Sequence, residues 1–74
     1  MFLSDAQIGV TYKVTKVKGE EKVKKYLFTL GCFEGEEIIL ISKLAGNYIV
    51  NIKDSRYALD ENMAKIIEVE IQSS

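Results

Sequence analysis

The alternation of apolar and polar residues along the chain predicts five short β-strands. Between Val10 and Lys18, apolar side chains occupy every second position until Val17, which falls out of phase. A β-bulge near Thr15 or Lys16 would return Val17 to the interior, because one extra residue shifts the alternation by one position. The other four predicted strands, in chain order, cover residues 37–44, 48–53, 57–59 and 66–71.

A helical period replaces this alternation between Gly19 and Gly31. The apolar residues with the spacing of one helix face are Val23, Tyr26, Leu27 and Leu30. We predict a helix over residues 20–30 that packs on the strands through these side chains, since about eleven residues are too few for a stable isolated helix. Phe28 lies roughly 150° from the centre of that face, so it is either exposed or covered by a loop.

The turn residues between these segments complete the predicted architecture. Ala45-Gly46-Asn47 predicts a hairpin turn, and Asp60 is expected to cap one helical turn. Five short strands and one helix are too few for two full sheets. We therefore predict a mainly β fold, a small barrel of about five strands with one short helix inserted between the first and second strands. Residues 1–74 are expected to form a single domain.

The composition bears on function more than on fold. The 74 residues include no histidine and no tryptophan, and Cys32 is the only cysteine. Histidine is the usual proton carrier near neutral pH, and a zinc site of the usual kind needs four ligands, mostly histidine or cysteine. We therefore expect no catalytic residue, no metal site and no cofactor. The chain is interpreted as a binding or regulatory module and not as an enzyme.

Length and hydropathy argue against a membrane span. The longest aliphatic run, Ile38 to Ile41, has four residues, whereas a membrane helix needs about 20. The first residues contain no basic segment followed by a long apolar one, so no secretory signal is predicted. Because a single cysteine cannot form an internal disulfide, we expect a cytoplasmic protein.

Charge is nearly balanced overall, with a formal net charge of −1, but it is uneven along the chain. From Lys13 to Lys25 there are six lysines and two glutamates. A nucleic-acid binder usually carries a strongly basic face, so no nucleic-acid partner is expected. The lysine-rich stretch is either an ordinary solvated surface or a patch that faces an acidic partner.

Three further groups of side chains allow two interpretations each. Cys32 could be a ligand, but a lone thiol is more often packed in a core. The acidic residues that could offer oxygen ligands, or simply be solvated, are Glu34, Glu36, Glu37, Asp54, Asp60 and Glu61. The aromatic residues that could line a peptide groove are Tyr12, Tyr48, Tyr57 and Phe33. Core packing is favoured for the aromatic set, because Tyr12 and Tyr48 fall on interior strand faces.

Several short residue motifs follow one another in a fixed order between Leu3 and about Val69. They are Gly9 with Tyr12, Val14 and Val17; Leu27 with Leu30-Gly31; Phe33-Glu34-Gly35-Glu36 before Ile38 and Leu40; Tyr57-Ala58-Leu59; and Ala64 with Ile66-Ile67-Glu68-Val69. In this order and spacing, the chain resembles the FeoA family, the small cytosolic components of bacterial ferrous-iron transport.

The resemblance implies an SH3-like barrel, in agreement with the barrel predicted from the strand pattern. It also implies a cytosolic accessory protein of ferrous-iron uptake that contacts FeoB, a membrane permease with a cytosolic GTP-binding domain. A similar domain occurs at the C-terminus of metal-dependent repressors, so the alternative interpretation is a stand-alone regulatory module. A third interpretation is a module that associates weakly with itself. The candidate partner surface comprises Lys24, Lys25, Phe28 and Phe33, an aromatic centre with a lysine rim.

Overall fold

The computed structural model describes residues 1–72. In chain order its elements are a 3₁₀ turn (Leu3–Asp5), β1 (Thr11–Val17), α1 (Glu21–Thr29), β2 (Glu37–Leu44), β3 (Asn47–Ile52), β4 (Ser55–Asp60), α2 (Glu61–Ala64) and β5 (Ile67–Ile71). The five strands in this part of the chain form one antiparallel sheet in the order β4-β3-β2-β1-β5. The predicted mainly β fold, with a short helix between the first two strands, is confirmed.

The predicted bulge in β1 is confirmed where β1 pairs with β5. Val14 lies opposite Val69 and Lys16 opposite Glu68, so the register shifts between these two pairs. The extra residue returns Val17 to the inner side, where it packs against the core. One long strand can therefore bend and pair with both of its neighbours in the sheet.

The core is built from the inward-facing positions of every strand. Its fully buried side chains include Tyr12, Val14, Ile38, Leu40, Val50, Ile52, Leu59, Ile67 and Val69. Leu27 of α1 and Leu3 of the 3₁₀ turn join them and are also fully buried. Each such side chain contributes about 1.5–3 kcal/mol to folding relative to an exposed one. Among residues 1–72, no charged or polar side chain is buried with them.

The hairpin and capping predictions are also confirmed. Ala45 and Gly46 join β2 to β3 with positive φ angles of 50° and 81°, as expected for a two-residue hairpin turn. Asp60 accepts a hydrogen bond from the Met63 backbone N–H at 2.9 Å, which caps the single turn of α2. This turn carries the chain from β4 across the end of the barrel to β5.

The predicted packing face of the helix needs one correction. Leu27 is fully buried, and Val23 and Leu30 pack against the core, but Tyr26 is 48% exposed. The helix therefore contacts the core through a narrow stripe centred on Leu27, which is narrower than the predicted face. A helical period alone could not distinguish a narrow contact stripe from a wide one.

The two edges of the sheet differ in how they end. The backbone N–H of Val69 donates to the Met1 carbonyl at 2.7 Å, and Phe2 forms a bridge with Glu68. The start of the chain therefore covers the outer edge of β5. At the other edge, β4 has no neighbouring strand on its outer side within residues 1–72.

Candidate functional site

The way α1 ends positions the two phenylalanines of the candidate site. The N–H of Gly31 donates to the Phe28 carbonyl at 3.0 Å, and the N–H of Cys32 donates to the Leu27 carbonyl at 2.9 Å. These two bonds form a Schellman motif, which needs a left-handed residue after the helix. Gly31 supplies it with a φ of 91°. The chain then reverses, so that Phe33 returns to the side of the helix that carries Phe28.

Phe28 and Phe33 form an aromatic pair at the surface. Their ring centroids lie 4.8 Å apart with an angle of 33° between the planes. Phe28 is 62% exposed, whereas Phe33 is half-buried. Of the two interpretations offered for Phe28, exposure is correct, since the neighbouring loop supports one side of the ring without covering it.

An open groove of about 250 Å³ lies beside this pair. It is lined by Phe28, Thr29, Leu30, Gly31, Phe33, Ile52, Lys53, Ser55 and Tyr57. We call it the aromatic groove, after Phe28, Phe33 and Tyr57. One wall is the end of α1 with the loop that follows, and the other is the turn from β3 into β4 with the first half of β4.

Lys53 adds a positive charge to the aromatic groove. Its Nζ lies 5.3 Å from the centroid of the Phe33 ring, within the range of a cation–π interaction, and 3.9 Å from Glu36 Oε1. Lys53 is the first residue of the two-residue turn between β3 and β4, and it has a left-handed φ of 57° there. Because both ion-pair partners are partly exposed, the ion pair is weak and the lysine remains available.

Lys24 and Lys25 precede Phe28 by four and three residues, so they lie one helical turn before it on the same side of α1. Lys24 is half-buried and Lys25 is exposed. All four residues predicted from the sequence therefore lie along one surface, with Phe28 and Phe33 in contact. Tyr57 was named from the sequence together with Phe33 as a possible groove residue, and both line this groove. Sequence reasoning missed Lys53, because the alternating pattern placed it in the predicted strand 48–53 and not in a turn.

Cys32 and two of the candidate tyrosines are buried and have a structural role. Cys32 is buried, and burial raises the pKa of its thiol to about 11, so it stays protonated at neutral pH and is a poor nucleophile or ligand. Tyr12 and Tyr48 lie in the core as expected, and the Tyr12 hydroxyl accepts a hydrogen bond from the Gln7 N–H at 2.9 Å. Across residues 1–72, the acidic side chains form no cluster of three suited to a metal ion.

Comparison with known proteins identifies the family. The family model described as the FeoA domain matches residues 1–71. The chain belongs to the FeoA family. This family is linked to ferrous-iron transport. No curated protein matched the chain. Neither helix within residues 1–72 has the length and apolar character that crossing a bilayer requires.

Solved FeoA structures share the fold. FeoA from Chlorobium tepidum has a TM-score of 0.91 at 27% identity, over 99% of this chain and 71% of that one. Iron(II) transport protein A from Clostridium thermocellum has a TM-score of 0.90 at 25% sequence identity, and the match covers 96% of this chain and 45% of that one. This chain thus spans less than half of the Clostridium protein.

Two other solved structures show which type of barrel this is and that the same fold occurs in a metal-dependent regulator. FeoA from Stenotrophomonas maltophilia, solved with zinc and described as an SH3 domain protein, gives a TM-score of 0.82 at 25% identity, over 95% of this chain and 89% of that one. The barrel is therefore SH3-like, as expected. The manganese regulator SloR shares the fold alone. Its TM-score is 0.85 at 19% sequence identity, and the match covers 97% of this chain and 34% of that one.

Proposed function

We propose that this FeoA-family chain is a cytoplasmic accessory protein of ferrous-iron uptake that contacts the cytosolic part of a FeoB-type permease. The contact surface is the aromatic groove with its lysine rim, Lys24, Lys25 and Lys53. The observation that carries the proposal is the Phe28–Phe33 pair, since Phe28 is 62% exposed beside these lysines.

The exposed ring of Phe28 gives a magnitude for the contact. A phenylalanine presents roughly 200 Å² of surface, so with 62% exposed about 120 Å² remains for a partner to cover. At about 25 cal/mol per Å² this corresponds to about 3 kcal/mol, the size of an interface hot spot. The flanking lysines would steer an acidic partner and increase the association rate.

Contact alone does not regulate a permease. A bound accessory protein changes the conformational or GTPase state of its partner only if it binds one state more tightly than the other. We therefore infer that the aromatic groove distinguishes the nucleotide states of the permease's GTP-binding domain. The ion itself need not touch this chain for such regulation.

The proposal is tested by calorimetric titration of the permease's cytosolic domain, loaded with GDP or a GTP analogue, into this protein. Phe28→Ala is expected to weaken binding by about 30-fold or more, as a loss of about 2–3 kcal/mol requires. Tyr26→Ala is the matched control, because Tyr26 is also an exposed aromatic residue of α1 but lies outside the groove. Equal effects of the two variants, or no binding by the unmodified protein, would contradict the proposal.

The SH3-like fold shared with metal-dependent regulators supports a second candidate function, a stand-alone regulatory module. Such a module would bind the DNA-binding part of a regulator instead of a permease. The same titration with that partner separates the two candidates, since each predicts binding to one partner only.

A further inference from the structure

The open edge of β4 offers backbone groups that nothing in residues 1–72 uses. Ile52 lies opposite Ser55 on either side of a two-residue turn, and such a flanking pair exchanges both backbone hydrogen bonds. Since bonded pairs alternate in antiparallel strands, Arg56 and Ala58 direct their N–H and C=O groups away from β3. Within the described residues, neither forms a backbone hydrogen bond outside the sheet.

Residues of α1 and β4 together line a groove at each end of β4. The aromatic groove contains Ser55 and Tyr57 at the start of β4 together with Phe28. A second groove of about 360 Å³ contains Asp60 at the end of β4 together with Val23 of the first half of α1. β4 has six residues, about 20 Å of extended chain. One extended segment of similar length would therefore reach both grooves.

The charge around the aromatic groove selects the chemistry of such a segment. Lys53 lines this groove, and Lys24 and Lys25 lie one helical turn before Phe28 on the same side of α1. The acidic group beside Lys53 is Glu36, and Asp54 follows Lys53 in the turn. The balance is positive at this end. At the other end, Asp60 and Glu20 line the second groove, so acidic residues of a bound segment would be favoured only beside the aromatic groove.

We propose that the β4 edge binds an extended acidic segment of the partner as a sixth strand of the sheet. Main-chain bonds to Arg56 and Ala58 would provide affinity, while an apolar side chain in the aromatic groove and a neighbouring carboxylate near Lys53 would provide specificity. The proposal rests on the proposed function for assigning the segment to the permease. It adds the mode of binding and the chemistry of the bound segment.

The test removes one N–H from the edge. Ala58→Pro deletes a donor that points away from β3, so the β3–β4 pairing is retained, as for prolines tolerated on sheet edges. Ala58→Thr changes the side chain and keeps the N–H, so the difference between the two variants reports the donor alone. In titrations with the permease's cytosolic domain, Ala58→Pro is expected to bind at least tenfold more weakly than Ala58→Thr.

Hydrogen exchange of the unmodified protein provides a second readout that does not depend on the proline variant folding. The amides of Arg56 and Ala58 are expected to exchange at least tenfold more slowly when the permease domain is bound. Binding is also expected to weaken as salt increases, since the segment is acidic. Unchanged exchange at both amides, or equal affinity of the proline and threonine variants, would overturn the proposal.

The outcomes also separate this proposal from the proposed function. If Phe28→Ala weakens binding while the edge amides remain unprotected, the permease contact stands and strand addition is refuted. If the unmodified protein does not bind the permease domain, both proposals fail. If sedimentation shows a dimer that Ala58→Pro abolishes and the permease domain does not displace, the edge belongs to a second copy of this chain and the proposal is wrong.

Discussion

The glycine that ends α1 provides a test of how the aromatic groove is built. Gly31 and Gly35 have nearly the same left-handed backbone, with φ of 91° and 93°. A Cβ at Gly31 would lie 3.3 Å from Cγ2 of the buried Ile52, whereas a Cβ at Gly35 would have no neighbour within 4 Å. Alanine at the two positions therefore separates the backbone penalty from the cost of a close approach.

The magnitudes follow from these two environments. A left-handed alanine costs roughly 1–2 kcal/mol, and its smaller entropy in the unfolded chain returns roughly 0.4–1 kcal/mol. Gly35→Ala should thus lower the free energy of unfolding by about 1 kcal/mol. Gly31→Ala adds crowding against Ile52, a buried side chain that cannot move away freely, and should cost about 2 kcal/mol or more.

Thermal unfolding followed by circular dichroism measures the difference. One kcal/mol shifts Tm by about 4–8 °C in a domain of this size, so the two variants should differ by at least about 4 °C. An unchanged slope in urea unfolding would show that the variants differ in stability and not in the surface exposed on unfolding. Equal stability of the two variants would refute the reasoning, because it would mean that the loop after α1 has room to move away from β3.

Three further predictions concern the turn, the cap and the buried thiol. Ala45→Asn should stabilise the protein by about 0.5–1 kcal/mol in thermal unfolding, because asparagine adopts the left-handed conformation at lower cost; a lower Tm would contradict this. Asp60→Ala should lose about 1 kcal/mol by removing the cap on the Met63 N–H, and Asp60→Asn should retain most of it. The raised pKa of Cys32, about 11 against an ordinary 9.0, means that the thiol ionises in the unfolded chain first. Its contribution to stability is complete below pH 9 and is lost as pH rises to about 11, by up to about 2.7 kcal/mol. Cys32→Ala should lack this part of the alkaline loss in urea unfolding.

The fold was predictable where local rules decide the structure. The out-of-phase position of Val17 located the bulge, and the residue types at Ala45-Gly46 and Asp60 located the turn and the cap. These features depend on a few neighbouring residues and on backbone geometry. The exposure of Tyr26 was not predictable, because it depends on how much of the helix surface the distant strands cover.

The candidate site was predictable only in part, for a related reason. The chain distance between Phe28 and Phe33 is short, and both were identified from the sequence. Lys53 reaches Phe33 only because the Gly31 motif turns the loop back towards β3, a contact between distant segments. The cover over β5 by Met1 likewise joins residues 68 positions apart, which no local pattern indicates.

Two adjacent residues of α1, Leu27 and Phe28, differ in what they can contribute to folding and to binding. Leu27 is fully buried and Phe28 is 62% exposed. Truncating Leu27 would cost about 2–5 kcal/mol, a large part of the roughly 4–11 kcal/mol expected for a 74-residue domain. Truncating Phe28 removes a ring that is mostly in water and should cost far less. A surface that can change without loss of the fold is free to match a particular partner, and this is the property that an accessory protein acting by contact requires.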